Sequence, residues 1–168
     1  MKHIILIGFM GCGKSSVGKA LSEALNCSLV DTDTMIEEQT GRKISDIFRE
    51  SGEEYFRELE TKALEQLMHG QEQSVIAVGG GLPVRPVNRE YLKKLGRVVY
   101  LTAEVETLTE RLQGDDTRPL LQGEELQKRI RELMDARGEI YDSVADERIA
   151  TDRKSVLQIV KEVLEYAG

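Results

Sequence analysis

Short apolar runs alternate along the chain with longer stretches whose apolar residues recur at helical spacing. The short runs predict five strands, at residues 4–7, 28–30, 74–78, 98–101 and 148–150. The longer stretches predict seven helices, at residues 14–25, 46–49, 53–68, 88–95, 105–112, 124–141 and 155–167. The first strand has four consecutive apolar residues, which is typical of a strand covered on both faces. Alternating strands and helices predict a three-layer α/β/α sandwich with a five-stranded parallel sheet.

Segments rich in glycine or acidic residues follow the first three predicted strands. They are residues 8–15, 31–33 and 79–81. In open parallel sheets, ligands bind beyond the carboxyl ends of the strands, where these three segments are expected to meet. The sequence therefore predicts one binding site at that edge of the sheet.

Two stretches interrupt the alternation of strands and helices. Residues 32–60 contain helical pieces without a strand, and we interpret them as a substrate-binding insertion. Residues 113–123 are polar and lack periodicity, so they form either a mobile lid or an ordinary surface loop. At 168 residues, the chain is expected to be a single domain, residues 1–168.

Composition narrows the possible partners. The net charge of -7 argues against a nucleic-acid partner. No apolar run approaches the roughly 18 residues of a membrane span, so no membrane partner is expected. Two cysteines, Cys12 and Cys27, form neither a disulfide framework nor a metal-ligand pattern, and without an export signal they predict a cytoplasmic protein. A compact chain of this size is expected to be a monomer.

Residues 8–15 read Gly-Phe-Met-Gly-Cys-Gly-Lys-Ser and fit the phosphate-loop pattern G-x-x-x-x-G-K-S. Glycines let consecutive backbone N–H groups point at phosphate oxygens, and the following helix adds its positive end. Lys14 is predicted to contact the β- and γ-phosphates, and the Ser15 hydroxyl to ligate Mg²⁺. The rival pattern, a dinucleotide loop G-x-G-x-x-G, lacks its third glycine because Ser16 occupies that position.

The acidic pair Asp31 and Asp33 supplies the next candidate chemistry. The third strand ends in glycines rather than in a metal-binding Asp, so Asp31 is the candidate to hold Mg²⁺ through water. Residues i and i+2 of an extended segment share a side, which would aim both carboxylates at one cleft. Asp33 could then accept a hydrogen bond from an attacking hydroxyl. The alternative is structural, with Asp33 as a helix N-cap.

Arg57, Arg118 and Arg137 are candidates to neutralise charge. Each alone is more typical of a solvated surface. A phosphoryl-transfer transition state carries charge on the γ-oxygens, however, and one arginine reaching it contributes about 10³ to 10⁵ in rate. A carboxylate-bearing substrate would need a planar, two-pronged partner as well.

Several motifs together resemble the shikimate kinases. They are the phosphate loop, Asp31-Thr32-Asp33, Phe56-Arg57-x-x-Glu60, Gly79-Gly80-Gly81, Arg118-Pro119-Leu120-Leu121 and Arg137-x-x-x-Tyr141, in the order and spacing of that family. The resemblance covers essentially the whole chain. It implies a phosphate-loop kinase of the nucleoside-monophosphate-kinase-like fold. The implied reaction transfers the γ-phosphoryl of ATP to the 3-hydroxyl of shikimate, in the pathway to chorismate and the aromatic amino acids.

The resemblance also implies roles for individual residues. Catalysis would fall to Asp33, Lys14 and Arg118. ATP would contact Gly11, Cys12, Gly13, Lys14, Ser15, Ser16, Arg111, Arg118 and Arg153, with no role for the Cys12 side chain. Shikimate would contact Asp33, Arg57, Gly79, Gly80, Gly81 and Arg137. Phe48 and Phe56 would shape its pocket, and Glu60 would orient Arg57. Mg²⁺ would be held by Ser15 and, through water, by Asp31.

Two other classes remain open from the sequence. One is another small-molecule kinase, for example a gluconate or nucleoside-monophosphate kinase. The other is a nucleotide-dependent regulatory module without transfer activity. Asp33 with Arg57 and Arg137 favours a polyhydroxy carboxylate over a nucleotide acceptor, and intact Lys14 and Asp31 disfavour an inactive module.

Overall fold

The computed structural model describes residues 2–113 and 124–167. Its sheet has five strands in the order β2-β3-β1-β4-β5, and all neighbouring pairs are parallel. The strands are β1 His3–Ile7, β2 Ser28–Asp31, β3 Ser74–Ala77, β4 Gly96–Thr102 and β5 Glu147–Ala150. The predicted five-stranded parallel sheet is confirmed.

Helices cover both faces of this sheet. The described residues form α1 Lys14–Leu25, α2 Thr32–Thr40, α3 Ile44–Ser51, α4 Glu53–Met68, α5 Pro86–Leu95, α6 Val105–Gln113, α7 Glu124–Val144 and α8 Val156–Ala167, with a 3₁₀ turn at Leu82–Val84. None of these helices is long and apolar enough to cross a membrane.

The central strand β1 divides the hydrophobic core into two clusters. Ile4 and Leu6 belong to the cluster beneath α1, α6 and α8, whereas Ile5 and Ile7 belong to the cluster on the other side. All four side chains are at most 3% exposed. The unbroken apolar run of β1 therefore reflects burial on both faces, as predicted.

A third, smaller cluster lies in the segment predicted to be an insertion. It contains Ile36 of α2, Ile47 of α3, and Phe56 and Ala63 of α4. This cluster fixes α2 and α3 against α4, and α4 also contributes Leu64 to the second sheet cluster. The insertion thereby has a defined position beside the sheet.

The sequence prediction was wrong at the start of this segment. Residues 31–33 do not form one extended segment, because β2 ends at Asp31 and α2 begins at Thr32. Asp31 is the N-cap: its Oδ1 accepts hydrogen bonds from the N–H groups of Asp33, at 2.9 Å, and Thr34, at 3.2 Å. Asp33 is therefore in the first helical turn and is not the cap. The helix was missed because its capping acid also fitted a strand end.

Other boundaries differ by a few residues. The helix predicted at 46–49 runs over Ile44–Ser51, and the one predicted at 88–95 begins at Pro86, whose fixed φ suits a first helical position. The candidate lid at 113–123 begins at the last residue of α6. Its remainder, including Arg118, lies outside the described residues.

Candidate active site

Three glycines set the shape of the phosphate loop. Gly8, Gly11 and Gly13 have φ of 148°, 82° and 95°, a region that L-residues with a Cβ seldom occupy. At Gly8, a Cβ would also lie less than 3 Å from the carbonyl oxygen of Leu101 on β4. Gly13 precedes α1 without any side-chain cap, so the first N–H groups of α1 stay available to an anion.

Lys14 lies folded into the loop that it follows. Its Nζ donates to the carbonyl oxygens of Gly8, at 2.6 Å, and Phe9, at 3.1 Å. The Cys12 sulfur lies 3.8 Å from the same ammonium. The positive charge is thus held at the centre of the loop, beside the N-terminus of α1.

One cavity of about 1170 Å³ extends from the phosphate loop to the insertion. Most of the residues singled out in the sequence line it: Gly11, Cys12, Gly13, Lys14, Ser15, Ser16, Asp31, Asp33, Arg57, Gly79, Gly80, Gly81, Arg111 and Arg137. Phe48, Phe56 and Glu60 line it as well. Segments far apart in sequence therefore face one space, with phosphate-binding groups at one end and acidic and guanidinium groups at the other.

Arg57 and Glu60 form an ion pair at the insertion end. Arg57 Nη1 donates to Glu60 Oε1 at 2.6 Å, and Glu53 Oε1 lies 3.3 Å from Nη2. Burial opposes the charge of Arg57, but the hydrogen bonds and charges of Glu60 and Glu53 raise its pKa overall. Its guanidinium stays positive throughout the pH range of proteins.

Glu60 itself is completely buried. Its pKa is raised to about 7, mainly by burial; the like charge of Asp33 adds to the rise, and Arg57 and Arg137 oppose it. Among the described residues, Glu60 Oε2 has no hydrogen-bond partner. Loss of water costs the carboxylate more than its cationic neighbours restore, so Glu60 holds a proton more readily than a surface glutamate.

The glycines after β3 leave room for these side chains. A Cβ at Gly79 would lie 2.9 Å from Asp33 Oδ1, and one at Gly81 would lie less than 3 Å from the guanidinium of Arg57. At Gly80 a Cβ would meet Arg137 Nη1 at 3.6 Å, an ordinary contact. The close approaches that exclude a side chain are therefore at Gly79 and Gly81.

On the side away from the insertion, the cavity continues past the phosphate loop to residues of α6 and α8. Arg111 Nη1 donates to the carbonyl oxygen of Gly11 at 2.8 Å and lies 3.4 Å from the Thr151 hydroxyl. Arg153, another predicted ATP contact, has a side chain that is 88% exposed and does not line the cavity. Lys154 does line it, held by Glu162 at 2.9 Å.

Sequence reasoning gave no role to four residues that build this site. Thr32, fully buried, accepts the N–H of Gly79 at 3.1 Å and so joins α2 to the glycine segment. Thr151 and Lys154 line the part of the cavity beside Arg111, and the Tyr141 hydroxyl donates to the carbonyl oxygen of Gly80. Tyr141 was visible in the motif Arg137-x-x-x-Tyr141 and Thr32 in Asp31-Thr32-Asp33, but Thr151 and Lys154 carry no local signal.

Ser15 and Asp31 offer oxygen ligands on the same cavity wall. The N-cap occupies Asp31 Oδ1, and no described donor takes its second oxygen. Within residues 2–113 and 124–167, no group of three or more His, Cys, Asp or Glu side chains is arranged to hold a metal. Mg²⁺ in phosphotransferases is typically held by one or two protein groups plus water and substrate phosphates, which this donor set fits.

The comparisons with known proteins agree with this geometry. The family model for shikimate kinase matches residues 10–167. A shikimate kinase of Persephonella marina is 48% identical over 164 residues, covering 98% of each chain, and one of Sulfurihydrogenibium is 47% identical, covering 98% of this chain and 96% of the relative.

Solved structures give the same answer. The shikimate kinase of Acinetobacter baumannii in complex with shikimate superposes with a TM-score of 0.90 at 38% identity, over 99% of this chain and 92% of that one. A gluconokinase of Sinorhizobium meliloti reaches a TM-score of 0.58 at 23% identity, over 98% and 90%, a likeness of fold alone. The chain therefore belongs to the shikimate kinase family.

Proposed function

We propose that this chain transfers the γ-phosphoryl group of ATP to the 3-hydroxyl of shikimate, releasing shikimate 3-phosphate and ADP. The observation that carries the proposal is the single cavity in which the phosphate loop faces Asp33, Arg57 and Arg137. The names of the closely similar relatives support the same reaction. A small anionic polyol would then be bound where guanidinium groups and a carboxylate converge.

The acceptor end suits a hydroxylated carboxylate. Arg57 and Arg137 can each offer two parallel N–H donors to a carboxylate, which is stronger and more selective than a point charge. Asp33 offers acceptor oxygens for a hydroxyl group. Glu60 keeps Arg57 in place through the 2.6 Å hydrogen bond, so the acceptor site is preorganised before substrate enters.

The donor end suits a triphosphate. We propose that Lys14 exchanges its two backbone carbonyl partners for phosphate oxygens when ATP binds. The N–H groups at the start of α1 would receive the neighbouring phosphates. Arg111, beside Gly11, would flank the base, and Lys154 is a better candidate than Arg153 for a second cation there.

The transfer step follows from these positions. The shikimate oxygen forms a bond to the γ-phosphorus while the bond to the β,γ-bridging oxygen breaks and ADP leaves. Asp33 orients the hydroxyl and accepts its proton. Lys14 neutralises charge that develops on the phosphoryl oxygens. When bound, Mg²⁺ held by Ser15 and Asp31 would supply charge neutralisation at the β- and γ-phosphates.

Residues 113–123 are proposed as a lid whose Arg118 reaches the phosphates from above. Exclusion of water by such a lid would limit ATP hydrolysis. We also propose that the enzyme acts as a monomer. A cytoplasmic location is proposed as well, and the free cysteines Cys12 and Cys27 support that location.

An ADP-release assay with a panel of acceptors tests the reaction. Shikimate, quinate, gluconate, AMP and no acceptor are compared at equal concentrations with Mg-ATP. Turnover is expected with shikimate and close to background with the others. Higher turnover with gluconate or AMP would show that shikimate is not the preferred acceptor. ATP binding without any acceptor-dependent turnover would contradict the assignment as a kinase.

A further inference from the structure

Tyr141 is buried at the point where α7 meets the glycine segment after β3. Its side chain is 1% exposed, and its ring lies 5.1 Å from that of Tyr100. The Tyr141 hydroxyl donates a hydrogen bond to the carbonyl oxygen of Gly80. The tyrosine thereby joins a helix to the acceptor end of the cavity.

The same hydroxyl faces Arg137, one turn earlier on α7. A Cβ added to Gly80 would lie 3.6 Å from Arg137 Nη1 and 3.7 Å from the Tyr141 hydroxyl oxygen, so both side chains approach Gly80. Arg137 therefore lies close enough to act on the tyrosine hydroxyl through its positive charge. Because a guanidinium can only donate, the lone pairs of the hydroxyl face Arg137 and its single proton goes to Gly80.

This orientation is independent of pH in any ordinary assay. Burial raises the pKa of Tyr141 to about 12, although Arg137 opposes the rise. The hydroxyl therefore keeps its proton and remains a donor to the Gly80 carbonyl.

The contact with Gly80 fixes the peptide unit that links Gly80 to Gly81. In a planar trans peptide the carbonyl and the N–H point in opposite directions, so holding the Gly80 oxygen sets the direction of the Gly81 N–H. Among the described residues, no acceptor takes that N–H, and both glycines line the cavity. A free donor of known direction is thus presented to whatever fills the acceptor end.

We propose that Tyr141 is a positioning residue for the acceptor, because its hydroxyl holds the Arg137 guanidinium and the Gly80–Gly81 peptide in one fixed relation. It contacts neither substrate. This inference rests on the proposed function. It adds one claim: the affinity for shikimate depends on the buried Tyr141 hydroxyl, which lies outside the cavity lining. ATP affinity is not expected to depend on it, since the hydroxyl donates to the Gly80 carbonyl rather than to the phosphate loop.

The test compares Y141F with Y100F, its matched control. Each variant removes one hydroxyl from the same pair of tilted, contacting rings, but the Tyr100 ring faces Arg148 rather than Arg137. Y141F is expected to raise the KM for shikimate about 5- to 30-fold, the equivalent of losing one good hydrogen bond, and to leave the KM for ATP unchanged. Y100F is expected to change neither.

The fold of Y141F is checked separately, because the Gly80 carbonyl loses its donor and the melting temperature is expected to fall. Kinetics are measured below that temperature, and an ATP-induced rise in melting temperature identifies folded protein. Equal KM values for shikimate in Y141F and Y100F, or equal losses for shikimate and ATP in Y141F, would overturn the inference. An unaltered chain without shikimate turnover would instead overturn the proposed function.

A double-mutant cycle with R137A tests the path of the effect. If Tyr141 acts partly by holding Arg137, Y141F should raise the KM for shikimate much less in the R137A background than alone. Fully additive effects would show that the hydroxyl does not act through Arg137 and would contradict the proposed coupling.

Discussion

Arg57 Nη1 lies 2.6 Å from Oε1 of Glu60, so a cation on the cavity wall is held by a carboxylate that is completely buried. Two opposing effects meet in this pair. Burial favours the protonated form of Glu60 and raises its pKa to about 7, whereas Arg57 favours the ionised form. The ion pair therefore keeps Arg57 in place, and its carboxylate, Glu60, gains or loses a proton close to neutral pH.

Glu60 should make the stability of the protein depend on pH. The pKa is about 7 in the folded chain, against 4.5 for the unperturbed group. Between these values the folded state holds a proton that the unfolded state has lost, so stability should fall as pH rises from about 4.5 to 7. The size of the effect is about 2–4 kcal/mol. Urea unfolding at pH 5 and pH 8 measures it.

The variant E60Q should lack this contribution, because glutamine does not titrate. E58Q, an exposed position on the same helix, is the control. The stability difference between the unaltered chain and E60Q should change between pH 5 and pH 8, whereas the difference from E58Q should not. Parallel stability profiles for the unaltered chain and E60Q would refute the assignment of the raised pKa to Glu60.

Gly81→Ala should impair shikimate binding with little effect on folding. The new Cβ would displace the guanidinium of Arg57, which Glu60 and Glu53 hold in place. The backbone tolerates alanine, since φ of Gly81 is -91°. We expect the KM for shikimate to rise about tenfold or more, which corresponds to about 1.4 kcal/mol, and the KM for ATP to stay constant.

Gly138→Ala is the matched control for that change. Gly138 lies within α7, and its added Cβ would meet no atom within 4 Å. Kinetics should be unchanged and the free energy of unfolding should rise by about 0.5–1 kcal/mol, because alanine favours the helix. Normal shikimate kinetics in Gly81→Ala would show that Arg57 can move aside without consequence.

Lys14→Ala should lower kcat about 10²- to 10³-fold, since a preorganised charge at the transferred phosphoryl group is lost. Lys19→Ala, an exposed lysine on the same helix, should behave like the unaltered chain. Steady-state kinetics with saturating shikimate and Mg-ATP provide the comparison. A kcat within a few-fold of the original would remove Lys14 from the transfer step.

Asp33→Asn should separate binding of ATP from transfer. The amide retains the shape of the carboxylate but cannot take the hydroxyl proton, so turnover should fall at least about 10²-fold. Calorimetry should show nearly unchanged ATP affinity. Glu38→Gln, exposed on the same helix, serves as the control. Near-normal turnover in Asp33→Asn would mean that the substrate hydroxyl needs no acid partner here.

Local patterns determined much of the fold. The apolar run at the start of the chain predicted a strand buried on both faces, and the loop spacing that ends in Lys14 and Ser15 predicted a turn into a helix. Both follow from interactions within a few residues, which the sequence displays directly. The helix at Thr32–Thr40 was missed because Asp31 is compatible with a strand end as well as with a helix cap.

By itself, the sequence determined the order of the strands and of all the helices but α2, the phosphate loop and the residue types available for chemistry. Only the tertiary structure decided which of those residues meet. It put Lys154 rather than Arg153 on the cavity wall, and it joined Tyr141 to Gly80 across 61 positions of the chain. Such contacts depend on how elements distant in sequence pack against each other, and the residues next to each partner in the sequence do not indicate which distant residue it will contact.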